Sequence, residues 1–154
     1  MGRRREETRG AMNHDLKLAQ TIEIEAGPEA VWDTLTNPQK NRRLFAGTNI
    51  VTDWRPGSPM LFEGEFQGQR YTDKGNVLEA EPGRRLRYNY WTGFSGLDDR
   101  PENYSLVTYT LNGAAGQTTL TVTRVGFADE QEYEHAVMGW EMVVKTIKEI
   151  AEEA

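Results

Sequence analysis

The chain has 154 residues with 18 basic and 24 acidic side chains, a net charge of −6; four arginines and two glutamates fall in the first ten residues, leaving 14 basic and 22 acidic groups, a net of −8, on the remainder. An acidic body argues against nucleic-acid binding through phosphate contacts, the lack of cysteine removes disulfide and thiolate chemistry, and His14 and His135 alone cannot build a histidine-rich metal site. The length suits one domain with a sizeable core, and no apolar run approaches the roughly 20 residues of a membrane-spanning helix, so a soluble, cytoplasmic protein with no membrane span is expected.

Residues 1–13 are polar and Arg-rich, with Arg3, Arg4 and Arg5 in a row and little to bury. They are expected to form a disordered leader, with a single domain over 14–154. Leu16, Leu18, Ile22 and Ile24 share one parity and Lys17, Thr21, Glu23 and Glu25 the other, which predicts a strand over 16–25 ending at Gly27-Pro28. Pro28 then suits the first turn of a helix whose buried face is Val31, Trp32 and Leu35. Asn37-Pro38 breaks it, and a second short helix is expected over 39–44.

From Thr48 the rhythm is that of strands separated by turn residues: 49–54, 60–66, 71–81 and 84–91, with Pro82-Gly83 before the last. Residues 92–101 form the longest break. Val107, Tyr109 and Leu111 alternate with threonines, as do Leu120 and Val122, and Asn112-Gly113-Ala114-Ala115-Gly116 joins the two segments as a hairpin. After Phe127 the apolar residues Tyr133, Ala136, Val137, Trp140, Val143, Val144, Ile147 and Ile150 recur three and four apart. Acidic residues crowd the first turn of this helix, predicted over 129–151. The order implies an α+β helix-grip fold: six or seven antiparallel strands curved around a long C-terminal helix, with two short helices after the first strand.

Five segments carry a resemblance: Ala30 to Pro38, Asp53-Trp54-Arg55-Pro56-Gly57, Gly75-Asn76-Val77-Leu78-Glu79, Pro82-Gly83-Arg84-Arg85-Leu86 and Gly139-Trp140. Over residues 16–151 they resemble the START-like (SRPBCC) superfamily, most closely the branch named for the activator of the heat-shock-protein ATPase. Leu44-Phe45 stands where that family often has Trp-Phe, and Ser58-Pro59 replaces a second glycine after Gly57. The resemblance implies an apolar cavity between sheet and helix, in a superfamily of lipid and hormone carriers, polyketide cyclases and co-chaperone domains. Fold alone does not choose among these.

With the sheet curved around the last helix, the inward positions are Met60, Phe62, Leu86, Tyr88, Tyr90, Val107, Tyr109, Leu120 and Val122, with Tyr133, Val137, Trp140 and Val144 from the helix. The tyrosine hydroxyls and the indole nitrogen need partners when buried, and a small apolar or aromatic ligand can supply them. The same aromatics also serve as ordinary core, and both readings stand at this point. Arg124 continues the parity of Leu120 and Val122. It either anchors a ligand carboxylate or phenolate, or ends its strand in solvent or paired with Glu63 or Glu65.

No Gly-x-Ser-x-Gly elbow, phosphate loop, His-Glu-x-x-His or dinucleotide fingerprint occurs. No catalytic residue, metal or cofactor is therefore assigned. His135, Asp98, Asp99 and Glu102 are expected in solvent. A carrier or sensor of a small molecule is the leading expectation. A cyclase working by positioning and a co-chaperone-like domain with a chaperone partner are the alternatives, and the sheet edges leave a homodimer open.

Overall fold

A computed structural model describes residues 11–45 and 47–153. Seven strands run β1 (Asn13–Ile24), β2 (Asn49–Val51), β3 (Pro59–Phe66), β4 (Gln69–Glu81), β5 (Arg85–Trp91), β6 (Ser105–Ala114) and β7 (Gln117–Phe127). Helices α1 (Pro28–Thr36) and α2 (Pro38–Asn41) follow β1, and α3 (Glu130–Glu153) closes the chain. All pairings are antiparallel in one sheet of order β1-β7-β6-β5-β4-β3-β2. The curved sheet and long last helix form the expected helix-grip fold.

Local chemistry sets the boundaries. Pro28 occupies the start of α1, and Asn37 ends that helix while its side chain accepts the Gln39 N–H to cap α2. Helix α2 stops at Asn41, short of the predicted 44, because the next amides turn back to carbonyls three residues earlier, as Leu44 N–H does to Asn41. Strand β2 ends at Val51 rather than 54: the Thr52 hydroxyl and Asp53 carboxylate accept the backbone N–H groups of Trp54 and Arg55, and Trp54 adopts a φ of 62°. The β6–β7 hairpin is longer than its sequence suggests, pairing out to Ala114 and Gln117 around Ala115-Gly116, with Gly116 at φ 73°.

Residues 1–10 of the expected leader lie outside the described residues. Its end does not behave as a leader: Asn13 begins β1, and Met12 is buried with its N–H donated to Asn103 Oδ1 at 3.0 Å.

One core lies between sheet and helices, with Ile24, Val31, Leu35, Met60, Val77, Val107, Leu120 and Ile147 among its buried residues. The tail of α3 is tied down by polar contacts, Glu152 accepting the Glu25 N–H at 2.8 Å and Arg43 meeting Glu153 at 2.9 Å. Among the described residues no helix is long and apolar enough to cross a membrane.

Candidate ligand cavity

Strands β3, β5 and β7 present alternate residues to the concave side of the sheet, so Phe62, Tyr88, Tyr90 and Arg124 face α3. Across from them α3 contributes Ala136, Gly139, Trp140, Met142 and Val143, and the turn after α2 contributes Leu44, Phe45 and Thr48. Together they enclose about 470 Å³, within the roughly 300–1,000 Å³ typical of small-molecule sites. Met142, 66% exposed, marks its outer rim. Thr48 shares a hydrogen bond of 2.8 Å with the Tyr71 hydroxyl, which fixes one side of the mouth.

The walls are aromatic and mutually supported. Phe62 packs at 5.9 Å from Tyr88 and 5.7 Å from Tyr90, and Trp140 meets Phe45 edge-on at 5.9 Å and Tyr109 at 6.0 Å. These separations are those of favourable offset and edge contacts. The hydroxyls of Tyr88 and Tyr109 lie 3.3 Å apart in a hydrogen bond that either can donate.

Arg124 is 6% exposed. Its Nη2 donates to Glu132 Oε1 at 2.9 Å and to Ser105 Oγ at 3.1 Å, and its guanidinium lies over Phe127 at 4.2 Å and Tyr90 at 5.2 Å. Glu132 Oε1 also accepts the Ala128 N–H, and Asp129 Oδ1 accepts the Glu132 N–H, so the ion pair is built into the start of α3.

Burial pushes the Tyr88, Tyr90 and Tyr109 hydroxyls above the ordinary tyrosine range. For Tyr88 the hydrogen bond with Tyr109 opposes that rise, and for Tyr90 the Arg124 charge does. These groups remain protonated at neutral pH. They can donate hydrogen bonds but are poor bases.

Of the residues expected to face a ligand, Phe62, Tyr88, Tyr90, Arg124 and Trp140 line the cavity. Met60, Val107, Tyr109, Val122 and Val144 share the inward side but are buried in the core behind it. Tyr133 sits edge-on to Phe127 at 5.1 Å, and Val137 is half-buried against the core with its carbonyl accepting from Gln20. Neither reaches the lining. The proposed Arg124 pairing with Glu63 or Glu65 is corrected: both are exposed residues on the side of β3 opposite Phe62, and Glu132 is the partner. His135, Asp98, Asp99 and Glu102 are exposed as expected, Asp99 with Lys74 and the Tyr104 hydroxyl as partners. No group of three metal-ligating side chains occurs among the described residues.

Sequence reasoning missed Leu44, Phe45, Thr48, Ala136, Gly139, Met142 and Val143 as lining. The first three lie in an aperiodic turn, where the one signal was the Leu44-Phe45 departure from the family pattern. Met142 falls off the buried stripe of its helix.

The pattern of the family described as Activator of Hsp90 ATPase homolog 1-like protein matches residues 25–152. Among solved structures the chain is similar to ChR145 from Cytophaga hutchinsonii, at 31% identity over 90% of this chain and 94% of that one, with a TM-score of 0.76. It is also similar to MLL2253 from Mesorhizobium loti, at 20% identity over 90% and 98%, TM-score 0.75. CalU16 from Micromonospora echinospora matches at 22% identity over 88% and 75%, TM-score 0.67. The last two bear on the fold alone. No curated protein matches the chain.

Proposed function

The chain belongs to the Activator of Hsp90 ATPase homolog 1-like family, and we propose that it holds a small apolar or aromatic molecule between its curved sheet and α3, as a carrier or sensor. The observation that carries this reading is the cavity of about 470 Å³ walled by Phe45, Phe62, Tyr88, Tyr90 and Trp140. Apolar walls supply affinity by removing ligand surface from water, and a few polar tips fix orientation. The neutral fluorophore N-phenyl-1-naphthylamine tests it. One molecule should bind per chain, and Ala136→Phe, which fills the lining from α3, should weaken binding about tenfold or more with the melting temperature little changed. Binding unaffected by that substitution would place the fluorophore elsewhere and defeat the reading.

A polyketide cyclase-like enzyme is a second reading, favoured by the Tyr88 and Tyr109 hydroxyl pair and by Arg124 nearby. Its chemistry would be confined to positioning and hydrogen-bond donation, since the tyrosines hold their protons. Accelerated cyclisation of a polyketide chain, lost in Tyr88→Phe, is the result it requires. A co-chaperone-like interaction domain draws on the exposed Phe66 and Phe94, whose rings meet at 5.7 Å. Unchanged chaperone ATPase turnover on adding the protein would remove it.

A further inference from the structure

The two ends of the cavity differ in chemistry. Leu44, Phe45, Gly139, Met142 and Val143 make the outer part apolar, whereas Tyr88, Tyr90 and Arg124 bring polar groups to its buried side. A guanidinium there would ordinarily select an anion. The charge of Arg124 is already paired, however, with the Glu132 carboxylate at 2.9 Å, while its buried Nε has no hydrogen-bond partner. Glu132 approaches from the far side, where it lines a separate surface depression with Phe94, Asp129 and His135. The buried end therefore carries no net charge.

An anionic ligand would give up its hydration and meet the carboxylate's field together with the guanidinium's, gaining little in return. A neutral acceptor loses far less water. A donor awaits it: when Tyr109 donates to Tyr88 across their 3.3 Å contact, the Tyr88 proton is left for the cavity, whereas the Tyr90 hydroxyl on the same side is engaged with Ser105. Burial keeps these hydroxyls protonated.

We propose that the cavity selects a neutral molecule with a hydrogen-bond acceptor at one end, of the aromatic ketone, quinone or lactone class, seated against the Tyr88 hydroxyl beside the charge-neutral Arg124–Glu132 pair. Carboxylates of the same shape are rejected. This rests on the cavity reading above and adds the ligand's charge and polarity to it.

Calorimetric titration of the full chain with 2-acetylnaphthalene, 2-ethylnaphthalene and 2-naphthoate separates the two levels. The ketone should bind about tenfold tighter than the hydrocarbon, the worth of one net hydrogen bond, with the carboxylate weakest. Tyr88→Phe should bring the ketone down to the hydrocarbon. Glu132→Gln keeps an acceptor for the Ala128 N–H but frees the Arg124 charge, and should raise 2-naphthoate affinity about tenfold. Naphthoate binding tighter than the ketone in the unaltered protein, or equal affinity for ketone and hydrocarbon, overturns the proposal and leaves the cavity reading standing. Binding by none of the three overturns both.

Discussion

Arg124 and Glu132 are unequal partners. Arg124 is enclosed by Phe127, Tyr90 and Ser105, whereas the Glu132 side chain keeps 26% of its surface in water. Removing the carboxylate strands a buried charge; removing the guanidinium leaves a carboxylate that can turn to solvent and still accept the Ala128 N–H. Glu132→Ala should therefore cost about 3 kcal/mol of stability, and Arg124→Met clearly less, as urea denaturation of the two variants will read. A larger loss in Arg124→Met would mean that the guanidinium contributes mainly through its packing.

The buried tyrosines set a pH dependence whose sign follows from their raised pKa. Unfolded tyrosines ionise near pH 10, while Tyr88, Tyr90 and Tyr109 hold their protons longer in the fold. Their contribution is whole below pH 10 and is lost as pH rises above it, because the unfolded chain releases protons that the folded chain keeps. Stability should fall in that alkaline range, and the phenolate absorbance of these three tyrosines should appear only with unfolding. A smooth titration of all six tyrosines near pH 10 in the folded protein would contradict their burial.

Two glycines show what individual elements require. Gly139 lies within α3, and a Cβ built there meets nothing within 4 Å, so helix packing gives no reason for glycine. It also lines the cavity. Gly139→Ala should stabilise the helix by about 1 kcal/mol while weakening ligand binding, because the added methyl enters the space a ligand would fill. Gly75 on β4 is the opposite case: a Cβ would fall 1.9 Å from the Asn89 carbonyl oxygen of β5. Gly75→Ala should cost on the order of 3 kcal/mol or more, because backbone must move, and thermal melting of the pair will show the opposite signs.

The elements were legible because their faces are clean. Leu18, Ile22 and Ile24 mark the dry side of β1, and Trp140, Val144, Ile147 and Ile150 the buried stripe of α3. Parity, however, reports which face a residue takes and not how deep it lies. Tyr88 and Tyr109 alternate alike and sit diagonally across β5 and β6, opposite Val107 and Leu86, yet one lines the cavity and the other backs it. The mouth was hidden for a related reason: Leu44, Phe45 and Thr48 follow α2 in a turn held by main-chain hydrogen bonds, where no periodicity points inward.

At the scale of the whole molecule, the cavity follows from how α3 is held over the sheet. The sheet carries short β2 at one edge and β1 at the other, and α3 packs against β1 and α1. Contacts at the end of α3, where Lys148 pairs with Glu152 and Glu152 with the Glu25 amide, hold that half of the helix down. The half between Ala136 and Val143 stands opposite Phe62 and Tyr90 with space between. A grip closed at one end and open at the other is suited to admitting a small molecule beside Phe45 and Met142.

Native mass spectrometry of the purified chain, followed by denaturation and identification of what is released, tests the central claim most directly. The account predicts a one-to-one complex with a small apolar or aromatic molecule, lost in Ala136→Phe. A chain that carries nothing and takes up neither N-phenyl-1-naphthylamine nor 2-acetylnaphthalene would contradict it.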